Sequence, residues 1–144
     1  IVNFRSNLWS GEEARRTIEE ILPLVDIFFC SEETARLTFK KSGNLKDMMK
    51  EFADEYNIGV IASTQRIVHS PKIHTFGSVI YEKCSDTFYE ERHIQKIEVV
   101  DRIGSGDAYI SGVLYGILSE EWKLRESIKV WQCSGSDKEY HTGR

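Results

Sequence analysis

Two glycines and a carboxylate stand together in the stretch VVDRIGSGDAYISGVLYGIL, residues 99–118. Gly104, Ser105 and Gly106 follow an apolar segment and precede an apolar run rich in small residues, and Asp107 comes directly after them. Glycines let consecutive backbone N–H groups point at one spot, and a helix that begins there adds the positive end of its dipole. The stretch therefore predicts an anion site, for which a phosphate group is the natural occupant.

Asp107 has two explanations in this position. As a first-turn acid it would stabilise the helix dipole and need no further role. A carboxylate beside a resting phosphate would be repelled, however, so a functional Asp107 must meet another group, such as a substrate hydroxyl that attacks the phosphate. Asp107 would accept that proton while the amides of residues 104–107 stabilise charge on the transferred group. The local pattern leaves both explanations open.

Two better-known phosphate motifs do not fit these residues. A Walker loop requires a lysine after its last glycine, and Asp107 follows Gly106 instead. A dinucleotide fingerprint requires a third glycine where Tyr109 stands, and an acid at the end of a second strand, whereas the downstream residues read as helix. A P-loop nucleoside triphosphatase and a dinucleotide-dependent oxidoreductase are both disfavoured.

Helical spacing and helix caps predict the elements that must position this stretch. Ser10-Gly11-Glu12-Glu13 is a capping-box pattern that predicts a helix over 11–22, ended by Pro23. Ser31 begins a second, short helix that ends near Lys41, and apolar positions from Leu45 to Tyr56 predict a third, in which the methionines belong to the core. Further helices are expected over 105–118 and 123–132.

Short apolar runs between these helices predict strands. Residues 1–4 read as the end of a strand, and residues 26–30 and 58–63 are continuous apolar runs, as buried parallel strands are. Residues 65–98 alternate in short pieces typical of β-hairpins. Strands that alternate with helices predict an α/β layered fold with a largely parallel sheet.

Composition limits the classes of protein that need be considered. The chain has 144 residues, which predicts one domain over 1–133 followed by an irregular tail over 134–144. A net charge of −4 gives no support for a nucleic-acid or membrane-surface partner. Three cysteines without a C-x-x-C pair indicate neither a disulfide framework nor a zinc site, so a reducing cytoplasm is expected. No apolar run approaches the ~20 residues that span a bilayer. The start IVNF, without Met, predicts a fragment that lacks its N-terminal part.

The segment Asp101-Arg-Ile-Gly-Ser-Gly-Asp107 resembles the D-T-x-G-A-G-D signature of the ribokinase-like (PfkB) carbohydrate kinases. Three further stretches are similar to the branch of 2-keto-3-deoxygluconate kinases: VNFRSNLW at 2–9, VDIFFCSEET at 25–34 and ASTQRIVHSP at 62–71. The matches are collinear over most of residues 1–130. The resemblance implies the C-terminal part of a ribokinase-like three-layer α/β/α sandwich.

Roles for individual residues follow from this resemblance. It implies Asp107 as the catalytic base, in contact with the substrate, and Gly104, Ser105 and Gly106 as the anion hole around the ATP phosphates. Arg5 would bind the substrate carboxylate, for which a guanidinium offers paired donors. The remaining implied nucleotide-side residues are Ser31, Thr64, Gln65 and Arg66, although a helix cap explains Ser31 and a solvated loop explains Arg66 equally well.

The resemblance implies ATP and Mg²⁺ as cofactors and a sugar acid as the substrate. The N-x-x-E segment of many sugar kinases is replaced by Ser31-Glu32-Glu33-Thr34, so the metal ligands are left unassigned. A homo-oligomer would form through a lid region that the chain lacks. Two alternatives stay open: a kinase for a neutral sugar or nucleoside, of the fructose, ribose or adenosine type, and a nucleotide-binding fragment without catalytic activity.

Overall fold

The computed structural model describes residues 1–2, 4, 7–70, 72–98 and 104–119, with side chains up to residue 91 in the last strand. Its elements, in chain order, are α1 (Gly11–Ile21), β1 (Ile27–Phe29), α2 (Glu32–Leu37), α3 (Leu45–Tyr56), β2 (Val60–Val68), β3 (Ile73–Glu82), β4 (Thr87–Glu98) and α4 (Ser105–Leu118). A short 3₁₀ helix over Leu22–Leu24 follows α1 and contains Pro23. The helix expected over 123–132 and the tail over 134–144 lie outside the described residues.

The four strands form one sheet in the order β1-β2-β3-β4. β1 pairs with β2 in parallel, with Phe28 opposite Ile61. The connections from β2 to β3 and from β3 to β4 have four residues each, 69–72 and 83–86, which is too short for a crossover, so these pairs are antiparallel. The expected parallel pairing thus holds for β1 and β2, and the hairpins make the described sheet mixed.

Side-chain caps form at the starts of α1, α2 and α3, and those at Ser10 and Ser31 were predicted. At α1 the hydroxyl of Ser10 accepts from the amide of Glu13 at 3.2 Å, while the Glu13 carboxylate accepts from the amide of Ser10 at 3.0 Å. Asn44 caps α3 by accepting from the amide of Asp47 at 2.9 Å. These reciprocal and single caps satisfy amides that have no partner within the helix. Helix starts were therefore predictable from a few neighbouring residues.

The chain divides into two compact units, Ile1–Thr64 with Val79–Phe88 and Gln65–Ser78 with Tyr89–Arg144. The core of the first unit is built on three aromatic rings: Phe52 lies 5.3 Å from Phe28 and 5.1 Å from Phe39, measured between ring centroids. Met48 and Met49 are buried in the same cluster, which confirms them as core residues. The expectation of one domain over 1–133 stays a prediction.

Candidate active site

Helix α4 begins with a left-handed glycine. Gly104 has φ +79° and ψ +3° and occupies the N-cap position, and its carbonyl accepts the first helical hydrogen bond from the amide of Ala108 at 2.9 Å. Residues with a Cβ pay roughly 1 kcal/mol in this region of backbone space, whereas glycine does not. The conformation explains why a glycine stands at this position.

The start of α4 differs from the other described α-helix starts. Ser10, Ser31 and Asn44 cap α1, α2 and α3 with their side chains, but Gly104 makes no side-chain cap. The first N–H groups of a helix have no partner within the helix and carry partial positive charge. Without a capping side chain at Gly104, the first turn of α4 is suited to an external anion.

Gly106 is not required by the described structure. It is exposed, it has no left-handed φ, and a Cβ added there would meet no described heavy atom within 4 Å. Alanine is the better helix former by about 1 kcal/mol. The glycine at this position therefore has no explanation in helix stability or in crowding by the described residues.

Asp107 is the third residue of α4, within its first turn, and it is exposed. It begins the exposed face of the helix, which continues through Ser111, Tyr115 and Leu118 at helical spacing. The hydroxyl of Ser111 donates to the backbone carbonyl of Asp107 at 2.8 Å, a contact that leaves the carboxylate uninvolved. A carboxylate in this position is accessible to solvent and is next to the uncapped helix start.

The opposite face of α4 is buried and contains Tyr109, Gly112, Val113 and Gly116. Tyr109 is 3% exposed, and its phenol oxygen accepts a hydrogen bond from the hydroxyl of Ser78 on β3 at 2.8 Å. Burial raises the pKa of Tyr109, so the phenol stays protonated. The sequence does not reveal this pair, because Ser78 stands 31 residues away and in an apolar strand, where nothing marks it.

Ser31 acts as a helix cap. Its hydroxyl accepts from the amide of Thr34 at 3.1 Å and lies 2.9 Å from the Thr34 hydroxyl, at the start of α2. The preceding residue, Cys30, is buried, which raises the pKa of its thiol to about 12. The structural explanation offered for Ser31 is thus confirmed, and its contact with ATP stays a prediction.

Thr64, Gln65 and Arg66 lie within β2, which continues to Val68 beyond the apolar strand expected over 58–63. At Arg66 the structure has a strand and not the solvated loop that was one of two explanations for this residue, because β2 lies beside β3 and backbone hydrogen bonding continues where the apolar pattern ends. Thr64 and Gln65 are half-buried and Arg66 is exposed. Their contact with a nucleotide stays a prediction.

The predicted site residues divide between the two units. Ser31 and Thr64 belong to the first, and Gln65, Arg66 and residues 104–107 belong to the second, while Arg5 lies outside the described residues.

Among the residues that the structure describes, no three His, Cys, Asp or Glu side chains cluster as a metal site would require. Within the same part of the chain, no helix is both long and apolar enough to cross a membrane.

Two curated relatives of the chain are sugar kinases by name. The chain is 25% identical over 120 residues to the 2-dehydro-3-deoxygalactonokinase of Haloferax volcanii, covering 83% of this chain and 34% of that protein. It is 27% identical over 145 residues to a fructokinase of Escherichia coli, covering 93% and 42% respectively. The chain thus spans less than half the length of these relatives.

A crystal structure of a PfkB family carbohydrate kinase from Listeria grayi superposes with a TM-score of 0.85 at 31% identity, covering 99% of this chain and 44% of that chain. The ribokinase-like α/β fold class expected from the motifs is confirmed by this likeness. One family model, that of the pfkB family carbohydrate kinases, matches residues 1–132 of this chain. The chain therefore belongs to the pfkB carbohydrate kinase family.

Proposed function

We propose that the complete protein transfers the γ-phosphoryl group of ATP to a hydroxyl of a sugar acid, 2-keto-3-deoxygluconate, with Asp107 as the general base. The observation that carries this proposal is the exposed carboxylate of Asp107 in the first turn of a helix whose N-cap is a left-handed glycine without a capping side chain. Membership of the pfkB family supports the reaction class, phosphoryl transfer to a carbohydrate.

In this proposal the backbone of residues 104–107 binds phosphate oxygens. Amides at a helix start are fixed before the reaction, so they stabilise the negative charge of the transferred group without reorganising. Gly106 supports this role, because a side chain there would meet open space and helix stability would favour alanine. A glycine is useful where a phosphate group must approach the backbone closely.

Asp107 takes the proton of the attacking hydroxyl. As the substrate oxygen forms its bond to the γ-phosphorus, the bond from that phosphorus to the bridging oxygen of ADP breaks, and the hydroxyl proton passes to the carboxylate. The carboxylate is accessible, and its backbone carbonyl, not its side chain, accepts from Ser111. Nothing in this contact prevents Asp107 from accepting a proton.

The nucleotide side of the site is assigned by resemblance. Ser31, Thr64, Gln65 and Arg66 are proposed to line the ATP site, and Mg²⁺ would neutralise charge on the phosphates when bound. The capping bonds of Ser31 do not exclude a further contact, since a hydroxyl has two acceptor lone pairs and one donor. No ligands for Mg²⁺ are assigned among the described residues.

Arg5 is proposed to bind the carboxylate of the sugar acid. The name of the relative from Haloferax volcanii specifies a sugar-acid substrate, which supports this class. The name of the relative from Escherichia coli specifies fructose, and this favours a neutral sugar as the second candidate. The variant R5A separates them in the complete enzyme: KM should rise sharply for an acidic sugar and change little for a neutral one.

The variant D107N tests the base assignment, with D47N as a matched control. Asp47 occupies the same third position of α3 that Asp107 occupies in α4, so both acids face a helix dipole. In a coupled phosphorylation assay, D107N should lose turnover by a factor of about 10² to 10⁴ and still bind ATP in calorimetry, whereas D47N should remain active.

Two outcomes would contradict the proposal. Equal behaviour of the two variants, with activity kept, would show that Asp107 only stabilises its helix. A wild-type protein that binds ATP analogues but phosphorylates no sugar would instead support the nucleotide-binding module without catalytic activity.

A further inference from the structure

We propose that Tyr109, through its hydrogen bond with Ser78, is a positioning residue for Asp107 and sets the rotation of α4 about its own axis. This inference rests on the proposed function of Asp107 and goes beyond it, because neither Tyr109 nor Ser78 belongs to the sequence motif. The pair joins the first turns of α4 to β3 at a distance of 2.8 Å.

The other buried residues of α4 are small or apolar. Besides Tyr109, the buried face consists of Gly112, Val113 and Gly116. Glycines have no side chain to interlock with a neighbour, and an apolar contact such as that of Val113 is not directional. A hydrogen bond prefers a narrow range of distance and angle, so the Ser78–Tyr109 bond is a directional contact on this face.

The helical geometry connects this contact to Asp107. Residues two apart in a helix point in directions that differ by roughly 200°, so Asp107 and Tyr109 lie on opposite sides of α4. This agrees with the exposure of Asp107 and the burial of Tyr109. A rotation of the helix that moved the phenol oxygen away from Ser78 would turn the carboxylate of Asp107 by the same angle.

Burial makes the bond selective for one arrangement. Ser78 is 1% exposed and Tyr109 is 3% exposed. If the serine hydroxyl lost its partner, water could not easily take that place, and the unpaired hydroxyl would cost free energy. An arrangement in which the hydroxyl of Ser78 had lost its acceptor would be disfavoured. The bond therefore restricts the start of α4, with its amides and its carboxylate, to the orientation seen here.

The test uses Y109F, S78A and the double variant S78A/Y109F in the complete enzyme. Y109F leaves the Ser78 hydroxyl buried without this acceptor, so it should lower Tm by about 3 °C. The double variant removes that hydroxyl as well and should recover the part of the lost Tm that comes from the unpaired serine. Since the bond is absent in both variants, kcat should fall roughly 10-fold in both, with KM for ATP nearly unchanged.

In the double variant Tm should recover in part while kcat stays low, and this difference distinguishes a positioning role from a role in stability. A kcat that recovers together with Tm in the double variant, or a kcat unchanged in Y109F, would overturn the proposal. Y115F is the matched control, since it removes a phenol oxygen from the exposed face of the same helix, two turns after Asp107, and it should keep the wild-type kcat.

D107N is measured beside these variants to separate this proposal from the proposed function. An inactive D107N together with a fully active S78A/Y109F variant would overturn the positioning role alone. An active D107N would overturn the base assignment and the positioning role with it.

Discussion

The ammonium nitrogen of Lys41 lies 2.7 Å from a carboxylate oxygen of Glu51, and only 10% of the Lys41 side chain is exposed. Glu55, one turn further along α3, also binds this ammonium group, which lies 5.1 Å from the centroid of the Phe52 ring. Lys41 thus joins the segment after α2 to α3 through one cation. Such a group contributes more to the stability of the fold than an ordinary surface ion pair does, because its charge is largely removed from water.

Replacing Lys41 with methionine should lower the free energy of unfolding by about 1–2 kcal/mol at neutral pH. Two carboxylates lose their shared cation, although both stay near solvent, and this limits the cost. Urea unfolding of the complete protein measures the effect. Lys40, the exposed neighbour, provides the control K40M, which should change stability by less than about 0.5 kcal/mol.

The difference between wild type and K41M should depend on pH in a defined direction. The hydrogen bond from Lys41 lowers the pKa of Glu55, so the stabilisation is present above the ordinary pKa of a glutamate and is lost as pH falls through the lowered value. Unfolding measured between about pH 3 and pH 7 should show the two proteins converging in acid. A constant difference over this interval would contradict the ion-pair assignment.

Asn57 ends α3 in the left-handed conformation, with φ +55°. Replacement by alanine should cost about 1 kcal/mol, since a Cβ is disfavoured there, whereas replacement by glycine should stay within about 0.5 kcal/mol of wild type. The asparagine side chain also accepts from Lys83 at 3.2 Å, and both variants lose this bond. Equal losses in urea unfolding would mean that the lost bond, and not the backbone conformation, determines the cost.

The two glycines at the start of α4 should respond differently to alanine. G104A should lower stability by about 1 kcal/mol because of its positive φ, whereas G106A should raise stability by up to about 1 kcal/mol through helix propensity. If Gly106 is kept for close approach of a phosphate, G106A should nevertheless weaken ATP binding by about tenfold. Thermal unfolding and calorimetry with an ATP analogue measure the two effects.

If G106A binds the ATP analogue as tightly as the wild type does, Gly106 is not part of the phosphate site. The reverse combination, lower stability with unchanged binding, would instead point to a packing role for this glycine.

Features that depend on neighbouring residues were predictable from the sequence. The capping box at Ser10, the amphipathic spacing of α3 and the start of α4 after Gly104 all formed at the expected places. Each depends on bonds or contacts between residues three or four apart, which the sequence displays directly. The family resemblance came from the same kind of local pattern.

Features that depend on pairing across the sheet were not predictable in this way. The extension of β2 through Thr64–Val68 depends on its partner strand, because the residues there have no continuous apolar pattern to mark them. The choice between a strand and a solvated loop at Arg66 depends on the same pairing. The hydrogen bonds of a ladder are made by the backbone and leave little trace in side-chain type.

The sequence by itself determined the residues at the start of α4: a glycine turn, a helix start that suits an anion, and an acid in the first turn. Tertiary structure decided which way that acid faces, because Tyr109 is buried with its bond to Ser78 on the opposite side of α4. Those two residues stand 31 positions apart, and only the packing of a helix against a strand brings their oxygens together.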